Sequence, residues 1–206
     1  FPNETLPKGR KQKTTALYDR FVNQGAVMGD SFGLENVLWF ANNKEDAHEE
    51  PTIKRSRSHD YVSKEVINVR ENVGLIEVAN FSKHEFKGPD ARKFLDHIMA
   101  GRLPKPGRIS LSPMLSYRGK LCGDLTVACL DENEFMVFGS GAAQEMHRRW
   151  FESHLDKFNL SYSNRSDEYH GLSIAGPNSR KVLEKIVRDD VSNEKFKFRD
   201  SRRMFV

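Results

Sequence analysis

Apolar residues recur along this chain with two periods, and each period predicts its own kind of element. Leu17, Phe21 and Val22 fall at helical spacing within residues 15–27, with Thr14 or Thr15 as a cap and Gly25 as the stop. Residues 41–59 swing from acidic (Glu45, Asp46, Glu49, Glu50) to basic (Lys54, Arg55, Arg57) around Pro51, the pattern of a solvated loop. Asp60 then caps a predicted helix over 61–72, whose stripe is Val62, Val66 and Val69. Residues 73–81 read as a short strand. A second helix opens near Pro89, with Phe94, Leu95, Ile98 and Met99 inward. A turn at Arg118-Gly119 leads to a strand at 125–130, and a turn at Glu132-Asn133 leads to another at 135–139. A helix over 142–155 turns Met146, Trp150 and Leu155 inward. A strand at 171–176, a helix at 181–187 and the beginning of a strand in the last residues complete the pattern.

One repeat organises it. GPDARKFLDHI (88–98) and GPNSRKVLEKI (176–186) share Gly, Pro, Arg, Lys, Leu and Ile at identical offsets. Glycine permits a tight strand exit, and proline starts a helix without wasting a donor. Asp90 and Asn178 are placed to satisfy free amides in the first helical turn. Two readings stand: independent use of a good helix start, or a duplicated strand–helix–strand unit. Duplication predicts an α+β fold with mixed or antiparallel sheets and helices on one face.

Composition narrows the class. The chain has 206 residues, enough to build a core without disulfides or metal, and its 10% aromatic content argues against wholesale disorder. No apolar run reaches the roughly 18 residues that cross a bilayer, so no membrane partner is expected. Thirty-three basic against 29 acidic residues leave a net charge of +4, a mixed surface rather than a concentrated basic patch, and FMVFGSG is only a faint echo of an RNA-recognition strand. Nucleic acid is therefore not the expected partner; binding through the basic tails, Lys8–Lys13 and Lys195–Arg203, would require a steep salt dependence. Cys122 and Cys129, seven apart across a strand, fall on opposite faces and predict no mutual disulfide, hence a reducing compartment. Nothing has metal-ligand spacing; His147 and His154 are seven apart and read as surface residues. Gly139-Ser140-Gly141 lacks the rest of a dinucleotide fingerprint and reads as a strand-to-helix turn. Gly123-Asp124 heads an apolar strand (Leu125, Val127, Leu130). On the residues alone, Asp124 is either a turn cap or a desolvated carboxylate held ionised by a ligand.

Four segments, VGLIEVANFSKHEFKGPDARKFLDHIM, LSYRGKLCGDLTVACLDENEFMVFGSG, HRRWFESHL and LSIAGPNSRKVLEKI, together resemble the folate-binding aminomethyltransferase domain. That is the domain of the glycine-cleavage T-protein and, more closely, of the C-terminal halves of dimethylglycine and sarcosine dehydrogenases. ALYDRF…GAVMGDSFGLENVLWFA resembles the stretch that joins the flavin half of those dehydrogenases to the folate half. The resemblance covers roughly residues 14–206. It implies a linker and connecting segment over 1–59 and a folate domain over 60–206 that is incomplete at its C-terminus. It also implies a reaction: a formaldehyde-level carbon from a methylated amine, oxidised by a flavin domain upstream in the parent protein, is captured by tetrahydrofolate. FAD would then belong outside this chain, and the setting would be a bacterial cytoplasm or a mitochondrial matrix.

Carried over position by position, the resemblance makes Asp124 the catalytic carboxylate. It makes Phe81, Leu111, Thr126, Phe135, Val137 and Gly139 folate contacts around an apolar cavity beside Asp124. The sequence departs from the family pattern at Gly123, where the first acid of an Asp-Asp pair is expected, at Lys120, where a glycine is expected, and at Gly139, which replaces an asparagine. The family's later folate-binding acid is not within these residues. A regulatory module that keeps the fold without the chemistry is the alternative.

Overall fold

The computed structural model describes residues 6–206. In chain order the elements are α1 (Tyr18–Asn23), β1 (Ala26–Ser31), β2 (Leu34–Phe40), α2 (Ser58–Glu71), β3 (Gly74–Glu77), β4 (Ser82–Lys87), α3 (Ala91–Ile98), β5 (Arg108–Leu115), β6 (Leu121–Asp131), β7 (Glu134–Gly139), α4 (Gln144–Glu152), β8 (Ser161–Asn164), β9 (Leu172–Ala175) and α5 (Ser179–Leu183). The α+β class with antiparallel sheets is as the repeated strand–helix–strand unit predicts. The chain divides into two compact units. One comprises the residues through Asn80 with His170–Val182, and the other Phe81–Tyr169 with Leu183–Val206.

The first unit contains two antiparallel ribbons, β1–β2 and β3–β9. Val27, Trp39 and Ala41 form a small core against Ala47 and Tyr61, with the Trp39 and Tyr61 rings 5.0 Å apart. The α2 helix begins at Ser58, two residues before the expected cap Asp60. Its valine stripe is not covered: Val62 and Val66 are exposed and, with Val69, line an apolar hollow described below.

The second unit is a five-stranded sheet in the order β5-β6-β7-β4-β8. Alternation along its strands sends Leu125, Val127, Cys129, Phe135, Val137 and Phe86 to the inner face, where α3 and α4 cover them. The predicted stripe of α3 is fully realised: Phe94 and Leu95 are 0% exposed, Ile98 7% and Met99 6%. Of the stripe expected over 142–155, Trp150 and Leu155 pack against the core and Met146 does not. His147 and Phe151 are buried and Met146 is exposed, because Phe151 packs edge-on against His84 and Phe86 and thereby sets the helix rotation. His147 is thus a core residue and not the surface residue its sequence spacing implied.

Both copies of the repeat have the same geometry. Gly88 and Gly176 hold positive φ of 138° and 113°, and Ala91 and Ser179 donate their amides to the Gly88 and Gly176 carbonyls at 3.0 Å. The Asp90 carboxylate, expected at the first turn of α3, instead accepts the Asn159 amide at 2.9 Å and so ties the helix start to a distant loop. After α5 the chain runs in turns. The expected final strand is reduced to one bridge, Arg108 to Asp200, because Arg199 takes a positive φ of 66° and interrupts the extended run.

Candidate functional site

The seven residues that the family resemblance singles out divide between the two faces of the sheet. On the outer face, Thr126 of β6 stands opposite Leu111 of β5 and Phe138 of β7, and Asp124 stands opposite Pro113. Leu111 is 62% exposed, and Phe81, just before β4, is 47% exposed. Asp124 is exposed as well and makes no hydrogen bond or ion pair among the described residues. Its carboxylate therefore neither caps a turn nor sits desolvated: with a strand period of two, the burial of Leu125 and Val127 forces Asp124 and Thr126 outward.

Phe135, Val137 and Gly139 lie on the opposite face. Phe135 and Val137 are fully buried in the core, and the Arg92 guanidinium lies 5.1 Å from the Phe135 ring. A Cβ added at Gly139 would meet Leu125 at 2.6 Å and His147 at 2.9 Å, so Gly139 also points toward α4. These three residues face packed side chains, whereas Asp124, Thr126 and Leu111 face outward together. The physical reason is that neighbouring antiparallel strands share faces only through their register: Phe138, not Val137, is paired with Thr126.

Two residues with a place on this outer face were not apparent in the sequence. Phe138 flanks Thr126 directly. Lys83, paired with Phe138, is 3% exposed, and its ammonium donates to the Phe81 carbonyl at 2.7 Å and the Ser166 carbonyl at 3.4 Å. A lysine inside a strand has no signal marking it as buried; only the pairing places it here. The departure at Gly123 also has a structural correlate. A Cβ there would stand 3.0 Å from His147 Nε2, so any larger residue at this position would crowd the buried imidazole.

Two hollows among the described residues are lined without Asp124. One, about 310 Å³, lies in the sheet unit against Met114, Cys122, Met146 and Trp150, with Arg149 at its rim. The Cys122 thiol is held above its ordinary pKa by burial, which suits an inert thiol. The other, about 620 Å³, lies in the first unit between the valine stripe of α2 and Leu75 and Ile76 of β3, with the Glu65 carboxyl raised above its ordinary pKa by desolvation. Among the described residues no cluster of three or more His, Cys, Asp or Glu side chains could hold a metal, and no helix is long and apolar enough to cross a membrane.

A family model described as the GCVT N-terminal domain matches residues 17–206, and the chain belongs to that aminomethyltransferase family. It is 33% identical over 202 residues to the mitochondrial dimethylglycine dehydrogenase of Mus musculus, covering 96% of this chain and 23% of that protein. It is 28% identical over 196 residues to the aminomethyltransferase of Staphylococcus epidermidis, covering 94% of this chain and 49% of that protein. The solved glycine cleavage system aminomethyltransferase T from Bartonella henselae superposes with a TM-score of 0.75 at 21% identity, over 93% of this chain and 47% of that one, and so shares the fold. The chain spans about a quarter of the dehydrogenase and about half of the aminomethyltransferases.

Proposed function

We propose that this domain takes part in tetrahydrofolate-dependent one-carbon transfer within a demethylating flavoenzyme of the dimethylglycine or sarcosine dehydrogenase type. The reading rests on family membership, and the observation that carries it is the placement of Asp124 on the outer face with Thr126 and Leu111, next to Phe138. The residues fit a folate in kind: a free carboxylate beside apolar side chains suits a flat ring that carries secondary amines. Tetrahydrofolate, when bound, supplies two nitrogens that take up a formaldehyde-level carbon.

The work left to the chain is positional and electrostatic. Asp124 Oδ accepts or holds a proton at an amine, and it opposes the positive charge that develops there. Leu111 and Phe81 offer exposed apolar surface for the ring, with Thr126 as a hydroxyl partner. Phe135, Val137 and Gly139 belong to the support behind the sheet. The folate domain of this reading lies within residues 60–206, with the oxidising flavin carried by a neighbouring domain of the parent.

Asp124→Asn keeps the shape of the side chain and removes its charge. In the flavin-linked enzyme it is expected to lower methylenetetrahydrofolate formation by roughly a hundredfold or more, the usual scale for general acid–base work, while amine oxidation continues. Unchanged folate-dependent product rejects the role of Asp124.

A second reading is favoured by one observation: Asp124 is exposed. On this reading the fold serves as a non-catalytic interaction module. Calorimetric titration of tetrahydrofolate into the flavin-linked protein separates the two, since the module gives no heat and no thermal protection at saturating folate.

A further inference from the structure

The inner face of the sheet carries a group of polar side chains that the core does not satisfy. Ser82 is 0% exposed, His84 0% and His147 2%. Ser82 Oγ, His84 Nε2 and His147 Nδ1 are all buried without a hydrogen-bond partner, although buried polar atoms are normally paired. They are also neighbours. Ser82 and His84 share one face of β4, and Ser82 is in register with Gly139 of β7. A Cβ at Gly139 would lie 2.9 Å from His147 Nδ1, and one at Gly123 of β6 would lie 3.0 Å from His147 Nε2. Glycines on two adjacent strands thus make the room that the imidazole of α4 occupies.

One of the remaining hydrogen bonds fixes the proton of His147. His147 Nε2 meets the Cys122 carbonyl at 3.2 Å, and a carbonyl only accepts, so Nε2 carries the hydrogen and Nδ1 is a bare acceptor. His84 Nδ1 meets the Tyr162 hydroxyl at 2.9 Å. Burial lowers the pKa of His84 to about 4 and raises that of Tyr162 well above its ordinary value, so both are neutral at pH 7. A phenol that donates to Nδ1 puts the hydrogen of His84 on Nε2, which has no partner among the described residues. His84 Nε2 is then a donor and His147 Nδ1 an acceptor, both without a partner, on two rings in edge-on contact. The two ring centroids are 6.3 Å apart. Ring nitrogens lie about 1 Å from their centroids, so the nitrogens are at least about 4 Å apart, too far for a direct bond of roughly 3 Å.

We propose that Ser82, His84 and His147 form a binding site for one internal water molecule, which accepts from His84 Nε2 and donates to His147 Nδ1, with Ser82 Oγ as its third partner. A metal ion would need two bare nitrogens, and an anion would need donors only; one donor, one acceptor and one hydroxyl match water. The site completes an ordered chain from the Tyr162 hydroxyl through His84, water and His147 to the Cys122 carbonyl, linking β8, β4, α4 and β6 behind the face that bears Asp124.

Long-range proton–nitrogen NMR of the 206-residue chain at pH 7 reads the tautomers directly. Both histidines are expected as neutral Nε2–H forms, and the His84 Nε2 proton is expected to show a cross-peak to a slowly exchanging water. An Nδ1–H form of His84, or no water cross-peak, overturns the site. His147→Phe removes the acceptor while keeping an aromatic ring. In that variant, shown folded by its NMR dispersion, the cross-peak is expected to disappear, and its persistence also overturns the proposal.

Discussion

Asp124 and Val137 lie one strand apart, yet they experience opposite environments. Residues of β6 and β7 alternate faces, so a single step along either strand exchanges solvent for core. Leu111→Ser, on the exposed side, is expected to change unfolding free energy by no more than about 0.5 kcal/mol. Val137→Ala, on the buried side, is expected to cost about 2 kcal/mol or more, through lost transfer energy and an unfilled space. Urea denaturation of the two variants measures this difference, and equal losses would show that the faces are misassigned. Which side each of these residues takes was not legible in the sequence, because similarity acts position by position, whereas sidedness comes from the register of Thr126 with Phe138.

The best-specified elements are those whose local chemistry and packing agree. In α3 the sequence supplies Gly88, Pro89 and an unbroken stripe, and the structure buries that whole stripe. Phe94→Ala is expected to cost about 3–5 kcal/mol in chemical denaturation. Gly88→Ala is disfavoured twice: its φ of 138° suits glycine alone, and a Cβ would stand 2.7 Å from the Leu160 backbone. A loss above about 2 kcal/mol is expected, and a neutral substitution would disprove the assigned turn geometry. The inward turn of His147 is not legible in the sequence, because Met146 beside it is the more apolar residue. The imidazole is admitted to the core only because the β6 and β7 glycines leave room for it, a coincidence across three elements that no local pattern reveals.

At the scale of the whole molecule, buried histidine links folding to pH. His84 titrates near 6.5 in an unfolded chain and near 4 when folded, lowered first by desolvation and then by the neighbouring His147. Between these values the unfolded chain binds a proton that the folded one does not, so stability is complete above about pH 6.5 and falls as pH drops toward 4. The loss from His84 reaches about 3 kcal/mol at most, and His147, also lowered, acts in the same direction. Denaturation midpoints measured from pH 7.5 to 4.5 check this, and His84→Phe is expected to flatten the curve. The sequence by itself determined the α+β class, the Gly-Pro helix starts and the family, because turns, helix caps and apolar periods are encoded within a few neighbouring residues. Tertiary structure alone decided which side chains share a face, which histidine is buried and that Asp124 looks outward. Those outcomes depend on strand register and helix rotation, and both are set by contacts between residues far apart in the chain.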